Sequence, residues 1–222
     1  PVPILMYHGI GAPPEGAALP ELFVPVPEFK EQVRWLAKQG YTAVTLADVF
    51  DAWKRGEPIA SKPVVLSFDD GLQSQYVGAL PVLEEMGWPG VLNLKVESMD
   101  QGELTEKMAK DLIAAGWDIE SHTITHADVS ALSGEALEQE IAGSRRELRR
   151  RLDVPVRFFA YPAGRFDDEA IAALRKAGYD GAVTTEPGLA TPDRPYELRR
   201  VRVDGGDGAK GLATKLRAAG AG

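Results

Sequence analysis

Two short stretches hold most of the side chains that could manage a metal ion and a proton. Ser67-Phe-Asp-Asp-Gly71 carries adjacent carboxylates, Asp69 and Asp70, and Ser121-His-Thr-Ile-Thr-His126 carries two imidazoles, His122 and His126. Histidines four apart can address one ion from a helical turn or a tight loop. With one carboxylate they form a two-His, one-Asp set that suits zinc with a position open for water, or another divalent metal. Neighbouring side chains in a strand point to opposite faces, but that rule relaxes where the chain turns at Gly71. Both carboxylates can then reach one site on different vectors, one binding the ion while the other accepts a proton. The plain alternative is a turn in which Asp-Asp-Gly merely ends a strand. The chain has 3 histidines, the third being His8, and all of them fall at or just beyond the end of a strand pattern. A lone histidine is ordinarily structural; three at strand ends beside an Asp pair point toward a site.

These residues are far apart in sequence, so the elements between them must bring them together. A helical pattern, a glycine, an aromatic and a short strand pattern recur at Gly40-Tyr41, Gly87-Trp88, Gly116-Trp117 and Gly178-Tyr179. Glycine suits the left-handed position just past a helix end, and the aromatic packs back on the helix. Trp35, Trp88 and Trp117 are therefore read as scaffold. Strands are expected over 42–46, 91–94, 118–121 and 181–185 after these steps, and over 2–7, 64–68, 156–160 and 198–203 elsewhere. Several are continuous apolar runs, as in strands buried on both faces. Helical spacing links Phe29, Val33, Leu36 and Ala37, and also Leu137, Ile141, Leu148 and Leu152 behind an N-cap at Ser133; Asp167 caps a helix carrying Ile171 and Leu174.

Seven or eight strands alternating with helices imply an α/β fold with a parallel sheet. An open dinucleotide-binding sheet would place a Gly-rich phosphate loop after the first strand. That strand runs instead into His8 and a Pro/Gly-rich stretch over 11–27. The expected fold is a (β/α) barrel of seven or eight strands, distorted or incomplete, forming one domain over 1–222. Its C-terminal face would gather the strand ends: His8, Asp69, Asp70, His122, Tyr161 and Pro162.

Composition narrows the function classes. The chain of 222 residues has a formal net charge of −8, which argues against a nucleic-acid surface. The basic run over 145–151 is interrupted by Glu147 and Leu148 and reads as a solvated helix face. With no cysteine, disulfides, Cys-ligated zinc and thiol nucleophiles are excluded. No apolar run reaches the roughly 18 residues of a membrane span, and no signal peptide is visible. A chain that starts without Met inside a strand pattern reads as a trimmed or mature form whose signal or anchor segment is absent.

The motifs together resemble those of the polysaccharide deacetylases, carbohydrate esterase family 4. Ser67-Phe-Asp-Asp-Gly71 looks like the first motif, Ser121-His-Thr-Ile-Thr-His126 like the second and Phe159-Ala-Tyr-Pro-Ala-Gly164 like the third. Val2-Pro-Ile-Leu-Met-Tyr-His8 is similar to the N-terminal motif of the circularly permuted branch, which includes poly-N-acetylglucosamine deacetylases of biofilm systems. The resemblance runs to about Val203 and implies roles. Asp70, His122 and His126 would bind the metal, usually Zn2+, with Co2+ or Ni2+ as substitutes. Asp69 would be the general base and His8 the general acid. The backbone N–H of Ala163, with Tyr161 and Pro162, would serve the oxyanion or the substrate.

The third motif departs from the family pattern. Ala160 stands where an arginine ordinarily steadies the base, and Ala163 where an aromatic is usual. Arg200, in Leu198-Arg-Arg-Val-Arg-Val203, is the expected substitute, with Arg199 and Arg202 as competitors. The implied partner is an acetylated polysaccharide, first a poly-β-1,6-N-acetylglucosamine type, with peptidoglycan, chitin-like oligomers and acetylated xylan as alternatives. The expected enzyme is an extracellular or cell-surface monomer. Segment 11–27, with Leu19, Leu22 and Phe23, is either a lid or membrane-docking patch or an ordinary packed connection. A glycosidase pairing Asp69 with Glu120 or Asp167 is the main rival. A non-catalytic glycan-binding protein and an iron oxygenase stand behind it.

Overall fold

The computed structural model describes residues 1–221. In chain order its strands are β1 (Ile4–Tyr7), β2 (Gly9–Ile10), β3 (Phe23–Val24), β4 (Thr42–Ala43), β5 (Pro63–Asp70), β6 (Val91–Leu94), β7 (Asp118–Ser121), β8 (Phe158–Ala160), β9 (Gly181–Pro187) and β10 (Leu198–Arg202). Its α-helices are α1 (Val26–Lys38), α2 (Leu46–Arg55), α3 (Leu80–Glu84), α4 (Val96–Asp100), α5 (Glu106–Ala114), α6 (Gly134–Glu138), α7 (Ser144–Leu152), α8 (Asp168–Ala177) and α9 (Gly208–Ala218). Strands β5, β6, β7, β8, β9, β10 and β1 pair in that order, all parallel, and β1 pairs back onto β5. Seven strands thus close a barrel.

Side-chain alternation divides the core. Ile4, Val65, Val91, Phe158, Ala160, Val183 and Leu198 pack inside the barrel, together with Leu46 and Phe50 of α2. The Asp118 carboxylate at the start of β7 accepts the Ala47 N–H of α2 at 3.4 Å, so α2 closes the N-terminal end. Leu5, Tyr7, Leu66, Phe68, Leu92, Ile119 and Phe159 face outward onto the helices. Each such side chain removed from water contributes about 1.5–3 kcal/mol. Trp88 and Trp117 belong to this outer layer and Trp35 packs half-buried against it.

Two expectations need correction. The strand expected over 42–46 pairs only at Thr42 and Ala43, beside the first residues of β5 and outside the ring. Thr45 accepts the Asp48 N–H at 3.2 Å, and the Asp48 carboxylate accepts the Thr45 N–H at 2.9 Å. This capping box starts α2 where strand propensity would have continued. The helix expected behind Ser133 is broken by a π turn, Gln139–Gly143, between α6 and α7, and Ser133 makes no side-chain cap bond. A second π turn, Gln75–Ala79, precedes α3. Asp167 does cap α8, accepting the Ala170 N–H at 2.8 Å. Segment 11–27 contains local structure of its own. A 3-10 turn, Pro20–Leu22, leads into β3, which pairs with β2. The ring of Phe23 fills the space where a side chain on Gly9 would stand. Leu19 remains 52% exposed. Among the described residues no helix is long and apolar enough to cross a membrane.

Replacing Thr45 with Ala removes the side-chain half of the capping box. It should lower unfolding stability by about 0.5–2 kcal/mol in urea titration, with the site at the opposite end of the barrel unaffected.

Candidate metal and base site

Inward positions at the C-terminal end of the barrel are polar. Asp69, on β5, lies beside Asn93 on β6. On the other side, the pairing of Tyr7 with Phe68 sets His8 next to Asp69. Asp70 would point outward in a regular strand, but it has a φ of 82° and Gly71 a φ of 80°. Asp is among the residues that tolerate this left-handed geometry, which swings its carboxylate over the barrel mouth. A Cβ at Gly71 would collide with Leu94 and press on Ser98. Ser98 donates to the Asp70 carbonyl at 2.7 Å.

The Asp70, His122 and His126 ligand atoms lie within 4.8 Å of one another. Nε2 of His122 is 3.4 Å and Nε2 of His126 3.5 Å from Asp70 Oδ1. A tetrahedral zinc with bonds of about 2.0–2.1 Å would hold its ligand atoms about 3.3 Å apart, and the two spacings from Asp70 to the imidazoles match that edge. Nδ1 of His122 lies 2.8 Å from the Ala160 carbonyl, which orients the ring with Nε2 toward Asp70. Burial alone would lower the His122 pKa, but the carboxylates of Asp70 and Asp69 outweigh it and raise it. A field that favours a proton there also favours a metal cation. Burial and the neighbouring His122 hold His126 below its ordinary value, which favours the neutral imidazole.

Asp69 is held differently. Arg200 Nη1 donates to Oδ1 at 2.8 Å and Nη2 to Oδ2 at 2.7 Å, while Asn93 donates to Oδ1 at 2.7 Å. Burial would raise this carboxyl, but Arg200 outweighs it and holds the carboxyl well below the usual range. Arg200 is only 1% exposed. Its Nε donates to the Thr184 carbonyl at 2.8 Å and its Nη1 also to Ser67 Oγ at 3.2 Å. The β9–β10 register shifts between Leu198 and Arg200. That bulge turns the Thr184 carbonyl to the guanidinium, a common use of bulges beside active sites. Arg199 and Arg202 instead pair with exposed Glu186 and with Asp204.

His8 is half-buried, and its Nδ1 is buried without a partner among the described residues. Burial lowers its pKa against the opposing pull of Asp69 and Asp70. The turn after β8 carries Ala163 at φ 52°, and a Cβ on Gly164 would strike Thr185. Gly164 and Arg165 donate to the Tyr161 and Pro162 carbonyls at 2.9 and 3.1 Å; neither bond uses the Ala163 N–H.

The two acids of the glycosidase reading are elsewhere. Glu120 points into the barrel, 3% exposed, and accepts the Phe158 N–H at 2.6 Å. Burial, with Asp118 nearby, raises its pKa well above the usual carboxylate range. Asp167 is the cap of α8. The residues that sequence reasoning missed are Asn93 and Gln75. Gln75, on the first π turn, donates from its amide to the carbonyls of Asp69 and His8. A polar residue inside the apolar run Val91-Leu-Asn-Leu94 was the available signal for Asn93; nothing local marks Gln75.

Comparison with known proteins agrees with this geometry. The family model described as polysaccharide deacetylase matches residues 56–182. YxkH of Bacillus subtilis, which carries the provisional name of a polysaccharide deacetylase, is 34% identical over 92% of this chain and 72% of its own length. The poly-beta-1,6-N-acetyl-D-glucosamine N-deacetylase of Escherichia coli K12 is 27% identical over 84% of this chain, which matches only 34% of that longer protein. The structure of the Streptococcus pyogenes deacetylase PplD in complex with acetate superposes with a TM-score of 0.89 at 28% identity, covering 97% of both chains. The chain therefore belongs to the polysaccharide deacetylase family and is a deacetylase by family.

Proposed function

We propose that this enzyme removes N-acetyl groups from a polymer of N-acetylglucosamine, of the poly-β-1,6-linked type, with a divalent metal held by Asp70, His122 and His126. The observation that carries the metal and base assignment is the meeting, at one barrel mouth, of an ion-sized ligand set and a separately clamped, ionised carboxylate. The substrate assignment leans on relatives that bear that name, including one from Staphylococcus epidermidis that is 28% identical over 79% of this chain. On the substrate class we assign the enzyme to the extracellular or cell-surface space, acting as a monomer.

When bound, zinc, or cobalt or nickel in its place, would polarise the acetyl carbonyl and bring the pKa of water toward 7. The chain's own groups supply the proton movements. Asp69 is ionised and immobile, and takes the proton of the attacking water. The water oxygen bonds to the acetyl carbon, and the C–N bond then breaks to give acetate and the free amine. His8, beside Asp69, delivers a proton to the departing nitrogen. Each transfer is worth about 10²–10⁴-fold when well placed. The Ala163 N–H, held in its left-handed turn by the fit of Gly164 against Thr185, donates to the oxyanion. Such a donor contributes about 2.7–4 kcal/mol.

Removal of metal by a chelator should abolish acetate release, and zinc or cobalt should restore it; full activity in a metal-free sample would refute the mechanism. A panel of acetylated glycans assayed the same way should favour the β-1,6-linked polymer over peptidoglycan, chitin oligomers and xylan. Asp69→Asn should keep its metal, measured by elemental analysis, and lose at least 10²-fold in kcat, whereas His122→Ala should lose both. Arg200→Lys keeps a charge but not the two-pronged grip, so kcat should fall with metal content unchanged. Arg200→Met strands a buried carboxylate and should also cost about 3–5 kcal/mol in unfolding stability. Wild-type turnover in the Lys variant would remove Arg200 from the machinery.

A further inference from the structure

The loop that carries His126 is strained. Thr123 and His126 both sit at positive φ, 69° and 67°. For a β-branched residue such as Thr this is an outlier, and such geometry persists only where the surroundings over-determine it. His122 needs no help from the loop, because the Ala160 carbonyl fixes its ring and it is 2% exposed. The His126 side chain is 42% exposed, and its ring has no hydrogen bond of that kind among the described residues. Its position is set by its backbone.

That backbone converges on one carboxylate. Glu140 Oε2 accepts the N–H groups of Ile124 at 2.8 Å and Thr125 at 3.1 Å, and its Oε1 accepts the Thr125 hydroxyl at 2.8 Å. Thr123 Oγ1 takes the remaining N–H, that of His126, at 2.8 Å. On the other side the Thr123 and Ile124 carbonyls accept from Val96 and Glu97 at 3.1 and 3.0 Å. Successive N–H groups closing on an anion form a charge-assisted nest, stronger than neutral bonds. Glu140 reaches the loop from the π turn Gln139–Gly143, and π turns are found frequently at functional sites. The turn is itself anchored. Its Ile141 carbonyl accepts from Ser144 Oγ at 2.9 Å and from the Tyr179 hydroxyl at 3.0 Å. Ser144 Oγ also lies 2.7 Å from Ser121 Oγ, one residue before His122.

We propose that Glu140 is a positioning residue for the metal site, holding the strained 123–126 turn so that His126 faces Asp70. The inference rests on the reading of Asp70, His122 and His126 as metal ligands. The test is zinc titration of metal-stripped wild type and variants against a chromophoric chelator, with thermal unfolding of the same metal-free samples. Glu140→Ala and the volume-preserving Glu140→Met should each bind zinc about 10–100-fold more weakly. Glu140→Gln, which keeps an acceptor oxygen, should recover part of that loss. Glu138→Ala, which removes a carboxylate whose ion pair is with Lys176 at 3.6 Å, should bind as wild type does. Wild-type zinc affinity in either folded variant lacking the acceptor oxygens would overturn the proposal, whatever happened to its melting temperature. Failure of wild type itself to bind zinc would instead sink the metal reading.

Discussion

Asp69 and Arg200 form an ion pair in the interior of the barrel, with the carboxylate 3% and the guanidinium 1% exposed. Two buried charges are expensive to desolvate, and their attraction offsets that cost only with good geometry and further hydrogen bonds. Both conditions are met. The grip is two-pronged, Asn93 adds a donor to the carboxylate, and Ser67 and the bulged carbonyl of Thr184 accept further guanidinium protons. The pair draws on β5, β6, β9 and β10, four of the seven barrel strands. Barrel closure is therefore a condition for Asp69 to exist as a buried anion, and the pair in turn makes the upper barrel polar.

The rest of the mouth follows from that fixed anion. Asp70 cannot share the inward position with Asp69, and its left-handed φ sends its carboxylate to a different point. The two adjacent acids thereby acquire different environments, one clamped by a cation and one facing two imidazoles. This is how neighbouring carboxyl groups come to serve separate tasks. The two π turns belong to the same design. Gln75 on the first ties the Asp69 and His8 carbonyls together, and Glu140 on the second gathers the amides before His126. Each turn stands next to a loop that the chain would not otherwise hold still. Lower in the barrel, Glu120 has a raised pKa and a backbone donor. It fills space under the site, where burial disfavours its charged form.

Much of this was legible in the chain. Gly-aromatic steps marked helix ends, apolar runs marked buried strands, and the polar residues at their ends named one face of a barrel. The structure brings Asp69, Asp70, His8, His122 and His126 together on that face. Local signals failed where two of them competed, as at Thr45, where a capping box overrode strand propensity. They were silent where an element departs from its period, as at both π turns, because apolar spacing tolerates one inserted residue. The choice among Arg199, Arg200 and Arg202 lay between these cases. Alternation makes one of each neighbouring pair inward, but only the β10 register decides which.

The sequence alone therefore determined the residue types available for chemistry, the barrel class and the strand ends that carry the candidate ligands, since these depend on local periodicity and on short motifs. The tertiary structure decided everything that depends on lateral neighbours. It set Asn93 beside Asp69, brought Arg200 to that carboxylate from 131 residues away, and turned Glu140 toward the 123–126 loop. Register between strands and the twist of an inserted helical residue are properties of packing, and no stretch of chain read by itself contains them.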